Sequence, residues 1–132
     1  MMIEYKLNTP IIPEELSRLF KASGINRPAD DLPRLQKMID NADLTFTAWD
    51  DEKLVGIARA ITDFSYCCYL SDLAVDQDFQ KNGIGKKLVK LLQEQIGEEV
   101  TLLLLSSPIA MDYYPRIGFE KADNGFKIMR KR

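Results

Sequence analysis

The sequence predicts one α/β domain over residues 1–132, in which hairpins and a strand–helix–strand crossover share a sheet. Three observations carry this prediction. The order of hydrophobic patterns reads β α α β β β α β α β β, a mixed order that fits neither a bundle nor a sandwich. The stretch Tyr69–Leu92, YLSDLAVDQDFQKNGIGKKLVKLL, passes without a gap from a strand through a glycine turn into a helix. Beyond that helix, Val100–Leu105 is continuously apolar, as expected of a central strand covered on both faces when parallel strands are joined through helices.

Each element has a local cause. Ile3, Tyr5 and Leu7 alternate with Glu4 and Lys6, the pattern of a half-buried strand. Pro13 suits a helix start, Leu16, Leu19 and Phe20 form a stripe, and Gly24 is a natural stop. A second helix is expected from about Leu32 to Asn41, with Leu35, Met38 and Ile39 on one face. Leu44–Trp49 and Leu54–Ile61 flank the polar turn Asp50–Lys53 as a hairpin, with Gly56 marking a bulge or a close approach. A strand from Tyr66 to Val75 follows. Lys86 to about Ile96 carries Leu88, Leu91, Leu92 and Ile96 at helical spacing, and Gly97 ends it. Ser107 fits an N-cap and Pro108 a first helical position, for a helix over Ile109 to about Arg116. Phe119–Lys121, the turn Asp123-Asn124-Gly125, and Phe126, Ile128 and Arg130 predict a closing hairpin.

Composition narrows the function classes. The chain of 132 residues is long enough for a core without disulfide or metal staples. Its 18 basic and 20 acidic residues give a net charge of −2, which does not favour nucleic acid or an anionic membrane as partner. The basic end Lys127–Arg132 reads as a solvated tail. There is no histidine, so the commonest general base and metal ligand is missing, and no metal site is expected. Cys67 and Cys68 are adjacent and would point to opposite faces of a strand. Reduced thiols, and with them a cytoplasmic location, are the expectation. No apolar run reaches the length of a membrane span, and the first residues lack a secretory pattern.

The glycine turn has a chemistry of its own. N–H groups at a helix start lack partners, and the helix dipole adds positive charge there. Gly83 and Gly85 let a phosphate approach the backbone. The residues alone specify an anion cradle and leave its ligand open.

Val75-x-x-x-x-Gln80-Lys81-Asn82-Gly83-Ile84-Gly85-x-x-Leu88 resembles the acetyl-coenzyme A signature of the GNAT (Gcn5-related) N-acetyltransferases. Ala110-x-x-Tyr113-Tyr114-Pro115-Arg116-Ile117-Gly118-Phe119 resembles the second signature of that family. The resemblance implies a mostly antiparallel mixed sheet with a central, splayed parallel strand pair and flanking helices. It implies acetyl-CoA as co-substrate, with phosphates on the N–H groups of Lys81, Asn82, Gly83, Ile84, Gly85 and Lys86. Side chains of Gln80 and Lys81 or Lys86 would add contacts. Leu73, Ala74 and Val75 would hold the pantetheine arm through main-chain atoms, with Tyr113 also at the cofactor. Tyr114 matches the general acid of many members. Asp72 is a candidate base, beside the alternatives of an orienting role or ordered water. Phe20, Ile25 and Arg27 fall where the family often lines the acceptor site. The resemblance fails at an Asn expected after the fifth strand, where this chain has Ser106-Ser107-Pro108; Ser107 would take over that contact.

The function so implied is direct acetyl transfer to a primary amine on a small molecule or peptide, with a homodimer left open. The alternative is an acyl-CoA-binding regulatory module without turnover.

Overall fold

The computed structural model describes residues 2–132. Five strands form one sheet in the order β1 (Ile3–Leu7), β2 (Leu44–Asp50), β3 (Lys53–Thr62), β4 (Cys67–Val75), β5 (Thr101–Leu103). Neighbours are antiparallel except β4 and β5, which are parallel. The parallel pair joined by a helix matches the crossover expected from the sequence.

Helices cover both faces. α1 (Pro13–Ser23) and α2 (Leu32–Asp40) pack Leu16, Leu19, Phe20 and Leu35 against Trp49, Leu54, Ile57 and Ala74. α3 (Ile84–Ile96) packs Ile84, Leu88, Val89, Leu92 and Ile96 against Phe46, Ala48, Ala58 and Leu70 on the other face. Each fully buried side chain of this kind contributes roughly 1.5–3 kcal/mol. Gly56 is the point of closest approach. A Cβ there would come within 3.1 Å of Ile84 Cγ2 and 3.2 Å of Leu88 Cδ1, so a glycine in β3 lets the start of α3 sit down on the sheet.

Two β-bulges re-aim side chains. Ala48 opposes Gly56 and Trp49 opposes Leu54, leaving Val55 as the extra residue. Arg59 opposes Asp72 and Ala60 opposes Leu70, leaving Ser71 as the extra residue. An inserted residue reverses which face the following side chains take. Cys68 and Leu70 therefore lie in the α3 core, whereas Asp72 and Ala74, at the same parity along the chain, turn to the face of α1 and α2.

Four expectations are corrected. Only Thr101–Leu103 of the apolar run Val100–Leu105 pairs as a strand, and Leu103 and Leu105 are exposed. The helix expected over Ile109–Arg116 is divided into a 3₁₀ turn at Pro108–Ala110 and a single turn, α4 (Tyr113–Arg116). Pro115 supplies a reason: it has no N–H to donate to the carbonyl of Met111, so a continuous helix would lack that bond. The closing hairpin is not formed. Asp123 and Asn124 do make a turn, but the flanking residues do not pair, and Phe126 and Ile128 are 99% and 101% exposed. A turn is a local preference, whereas a hairpin needs a sheet edge or apolar face to lie on. The parallel pair accordingly lies at the end of the sheet, not at its centre.

Candidate active site

The site begins where two parallel strands part. Pairing of β4 with β5 stops at Tyr69 and Leu103. From there β4 continues to Val75, bonded on one side to β3, while Leu104–Ser107 leave the sheet. The opening is a cleft of about 720 Å³ whose wall includes Leu73, Ala74 and Val75. A larger hollow of about 1090 Å³ lies on the far side of β5, between the end of α3 and residues 118–124. It is the space beside the unpaired strand edge and is lined by none of the candidate site residues.

One end of the cleft is the glycine turn. Asp76 closes β4: its N–H donates to Val55 O at 2.9 Å, and its buried carboxylate accepts from Asp78 N at 2.9 Å. Arg18 and Lys53 approach that carboxylate at 3.9 and 3.6 Å. Gln80 Nε2 donates to Val75 O at 2.9 Å, and Asn82 Nδ2 donates to Phe79 O at 3.0 Å. Both side chains brace the loop from inside. Lys81 and Gly83 take left-handed backbone conformations, with φ of 69° and 77°. The first helical bond of α3 runs from Lys87 N to Gly83 O at 3.0 Å. The N–H groups of Ile84, Gly85 and Lys86 before it have no helical acceptor, as at any helix start. Lys81, Gly83, Ile84, Gly85 and Lys86 line the cleft, and Asn82 does not.

Tyr113 and Tyr114 come from α4. A Cβ on Gly85 would lie 2.6 Å from the Tyr113 hydroxyl, so the missing side chain at Gly85 is what lets Tyr113 cover the start of α3. Tyr114 stacks edge-to-face on Tyr113 and Phe119, at 5.3 and 5.6 Å between centroids. Burial pushes the Tyr114 phenol above its ordinary value of 10.0; Tyr113 adds to the rise, and the positive charge of Arg27 opposes it. Burial likewise raises Tyr113. Ser107 also lines the cleft, at the N-cap of the 3₁₀ turn, without a side-chain cap bond.

Asp72 is 0% exposed and does not line the cleft. Arg59 Nε donates to its Oδ2, and Arg27 Nε donates to its Oδ1 at 2.5 Å. Arg59 also donates to Ser71 Oγ at 3.0 Å, and Arg27 Nη2 donates to the carbonyl of Ser71 at 2.6 Å. The bulge residue is thus tied down by both arginines. Arg27 lies in the loop after α1 and reaches the cleft, as do Ile25 and Ser71, whereas Phe20 is buried in the core.

The sequence reading missed Arg59 and the bulge at Ser71. A trace was present: Arg59 stands alone in an apolar strand, and so does Asp72 in the next. Two isolated opposite charges in neighbouring buried strands are a pairing signal, since an unpaired buried charge is costly. The register that joins them was not readable.

A fold of this kind, with a glycine-started helix and two tyrosines beside a parting strand pair, defines a class, and comparison with known proteins bears on it. A family model described as "Acetyltransferase (GNAT) domain" matches residues 20–128. The chain is 36% identical over 84 residues to GCN5-related N-acetyltransferase 2, chloroplastic, of Arabidopsis thaliana, covering 60% of this chain and 31% of the relative. It is 29% identical over 129 residues to the uncharacterized N-acetyltransferase ycf52 of Gracilaria tenuistipitata var. liui, covering 92% of this chain and 69% of that one. The chain thus spans about a third of the plant relative's length. Among solved structures, a probable acetyltransferase of unknown function from meticillin-resistant Staphylococcus aureus superposes with a TM-score of 0.81 at 23% identity, covering 98% of this chain and 100% of that one. Aminoglycoside N-acetyltransferase AAC(6')-Iy in complex with CoA gives 0.72 at 19%, covering 99% and 96%. This chain belongs to the GNAT acetyltransferase family.

Proposed function

We propose that the protein transfers an acetyl group from acetyl-CoA to a primary amine, directly, within a ternary complex. The observation that carries the reading is one cleft lined both by unpartnered helix-start N–H groups and by the half-buried Tyr114. The donor set fits a pyrophosphate: main-chain N–H groups of Ile84, Gly85 and Lys86, with Lys81 and Lys86 supplying positive charge. The unpaired edge of Leu73–Val75 suits an amide-bearing arm, which can bond to it as a strand would. A structure neighbour holding CoA supports the cofactor class.

The chemistry requires a neutral amine nitrogen to attack the thioester carbonyl carbon. The carbon–sulfur bond breaks, sulfur takes a proton, and nitrogen loses one. Tyr114 is assigned the proton donor, since its raised pKa keeps it protonated at neutral pH. Asp72 is assigned a positioning role and not that of the base. Both its oxygens accept from arginines, and it is closed off from the cleft. The nitrogen's proton then leaves to water. The two free thiols, Cys67 exposed and Cys68 buried, fit a reducing compartment such as the cytoplasm. Among the described residues no helix is long and apolar enough to cross a membrane.

The test is release of free coenzyme A from acetyl-CoA across a broad panel of amines, followed by initial-velocity analysis. Intersecting lines agree with a ternary complex, and parallel lines overturn it. Binding of CoA with no thiol release for any amine would favour the regulatory-module reading instead.

A further inference from the structure

We propose that the acceptor is a small primary amine bearing a carboxylate, and that Arg27 is the residue that selects it. This rests on the acetyltransferase reading and adds a substrate class to it.

Charge counting on the Arg27 side of the cleft, the side proposed to take the acceptor, is the first ground. Asp72 carries one negative charge and faces two guanidinium groups. The cluster therefore retains one net positive charge. That charge is displaced toward the cleft, because the Arg27 side chain is 26% exposed and that of Arg59 only 7%. The second ground is hydrogen-bond capacity. Arg27 donates from Nε to Asp72, from Nη2 to Ser71 O, and from Nη1 to Asn26 O at 2.7 Å. A guanidinium has five N–H donors, so two remain, one on each terminal nitrogen. The three bonds made hold the group in place before any ligand arrives, which reduces the ordering cost of binding.

The lining is the third ground. Its charged members are Arg27, Lys81, Lys86 and Arg116, and no Asp or Glu is among the described lining residues. Lys81 and Lys86 stand at the cradle, so Arg27 is the fixed cation on the β4 bulge side, beside Ser71. Arg27 is also near enough to Tyr114 to oppose the rise in its pKa. A second ammonium on the acceptor would meet only like charge here. A carboxylate would find a preorganised partner, and charge-assisted pairs with arginine are the strong ones. The same field disfavours the ammonium form of the reacting nitrogen. That helps to supply the neutral amine in a cleft whose lining offers no carboxylate base.

Glycine, β-alanine and γ-aminobutyrate, their carboxamides, and diamines of the same chain lengths form a matched test. The group opposite the amine is then anionic, neutral or cationic at constant length. The expected result is a kcat/KM higher for the acid than for its amide by about tenfold or more in at least one length, with the diamine lowest. In Arg27→Gln the acid-to-amide ratio, read within the one enzyme, should fall to near one; Arg27→Lys should keep part of it. CoA affinity measured on both variants reports that they are folded, and the wild-type ratio needs no variant at all. Equal rates for acid and amide, a preference for diamines, or a ratio unchanged in Arg27→Gln would each overturn the proposal. Turnover of other amines with none from this panel overturns it too, yet leaves the acetyltransferase reading intact. No thiol release with any amine removes both.

Discussion

At the proposed cradle end of the cleft the donors are main-chain N–H groups of consecutive residues; behind the proposed acceptor end lies a charged cluster of Arg27, Arg59 and Asp72, drawn from one loop and two strands. Ile84, Gly85 and Lys86 are neighbours in the chain, and their N–H groups are unpartnered because a helix starts there. Arg27 follows α1, Arg59 is in β3 and Asp72 is in β4, and they meet only because the sheet register and the Ser71 bulge bring them together. Backbone donors tolerate many side chains but forbid bulk at a few points. A side-chain cluster forgives little, since losing one member strands the charges of the others. The two ends should therefore fail in different ways.

The largest effect is expected between the two ends. Tyr114→Phe keeps the edge-to-face stacking and removes the proton, so kcat should fall by roughly 10²–10⁴ with little change in CoA affinity. Because folding raises the Tyr114 pKa above its ordinary value of 10.0, the phenol stays protonated to higher pH than a free tyrosine. The alkaline fall in kcat should be centred above that value in the wild type and be absent in Tyr114→Phe. Full turnover by the variant would end the general-acid assignment. At the acceptor end, Asp72→Asn leaves two guanidinium groups without their shared counter-charge. A loss of about 3–5 kcal/mol in urea unfolding is expected; a loss under about 1 kcal/mol would mean that the cluster is not a structural unit.

The cradle end should lose affinity before stability. Gly85→Ala puts a methyl group against the Tyr113 hydroxyl, and an overpacking cost of about 1–3 kcal/mol should appear mainly as weaker CoA binding by calorimetry. Tyr113→Phe in the same chain should restore part of it, since the hydroxyl is the atom in the way; additive effects of the two changes would refute that contact. The smallest effect is at Gly83, where φ is 77° and nothing lies within 4 Å of an added Cβ. Gly83→Ala should cost about 1–2 kcal/mol of backbone strain, read by thermal melting, without blocking the cleft.

The glycine turn was legible because its hydrogen bonding is a property of consecutive residues: a strand end, a left-handed glycine and a helix start are each written within a few positions. The same holds for α1 with Pro13 and Gly24, and for the hairpin of β2 and β3 across Asp51 and Glu52. Gln80 and Asn82 were legible as positions and not as roles. Their side chains turn inward to Val75 O and Phe79 O, and which way an amide points depends on which carbonyls the folded loop leaves open. The hairpin over 119–130 was over-read for a related reason. Its turn and alternation are local, but pairing depends on an edge that β5, three residues long, does not extend far enough to provide.

The sequence by itself determined the order of the elements through β5, the glycine turn from Gln80 to Lys86 that opens a helix, and the placing of Tyr114 beyond the next strand-to-helix junction. All of these follow from neighbours along the chain. Only the tertiary structure decided what Asp72 does. One extra residue at Ser71 turns its carboxylate from the α3 core to the opposite face, where Arg59 and Arg27 take both its oxygens. A bulge is a mismatch between two strands, so neither strand read alone contains it.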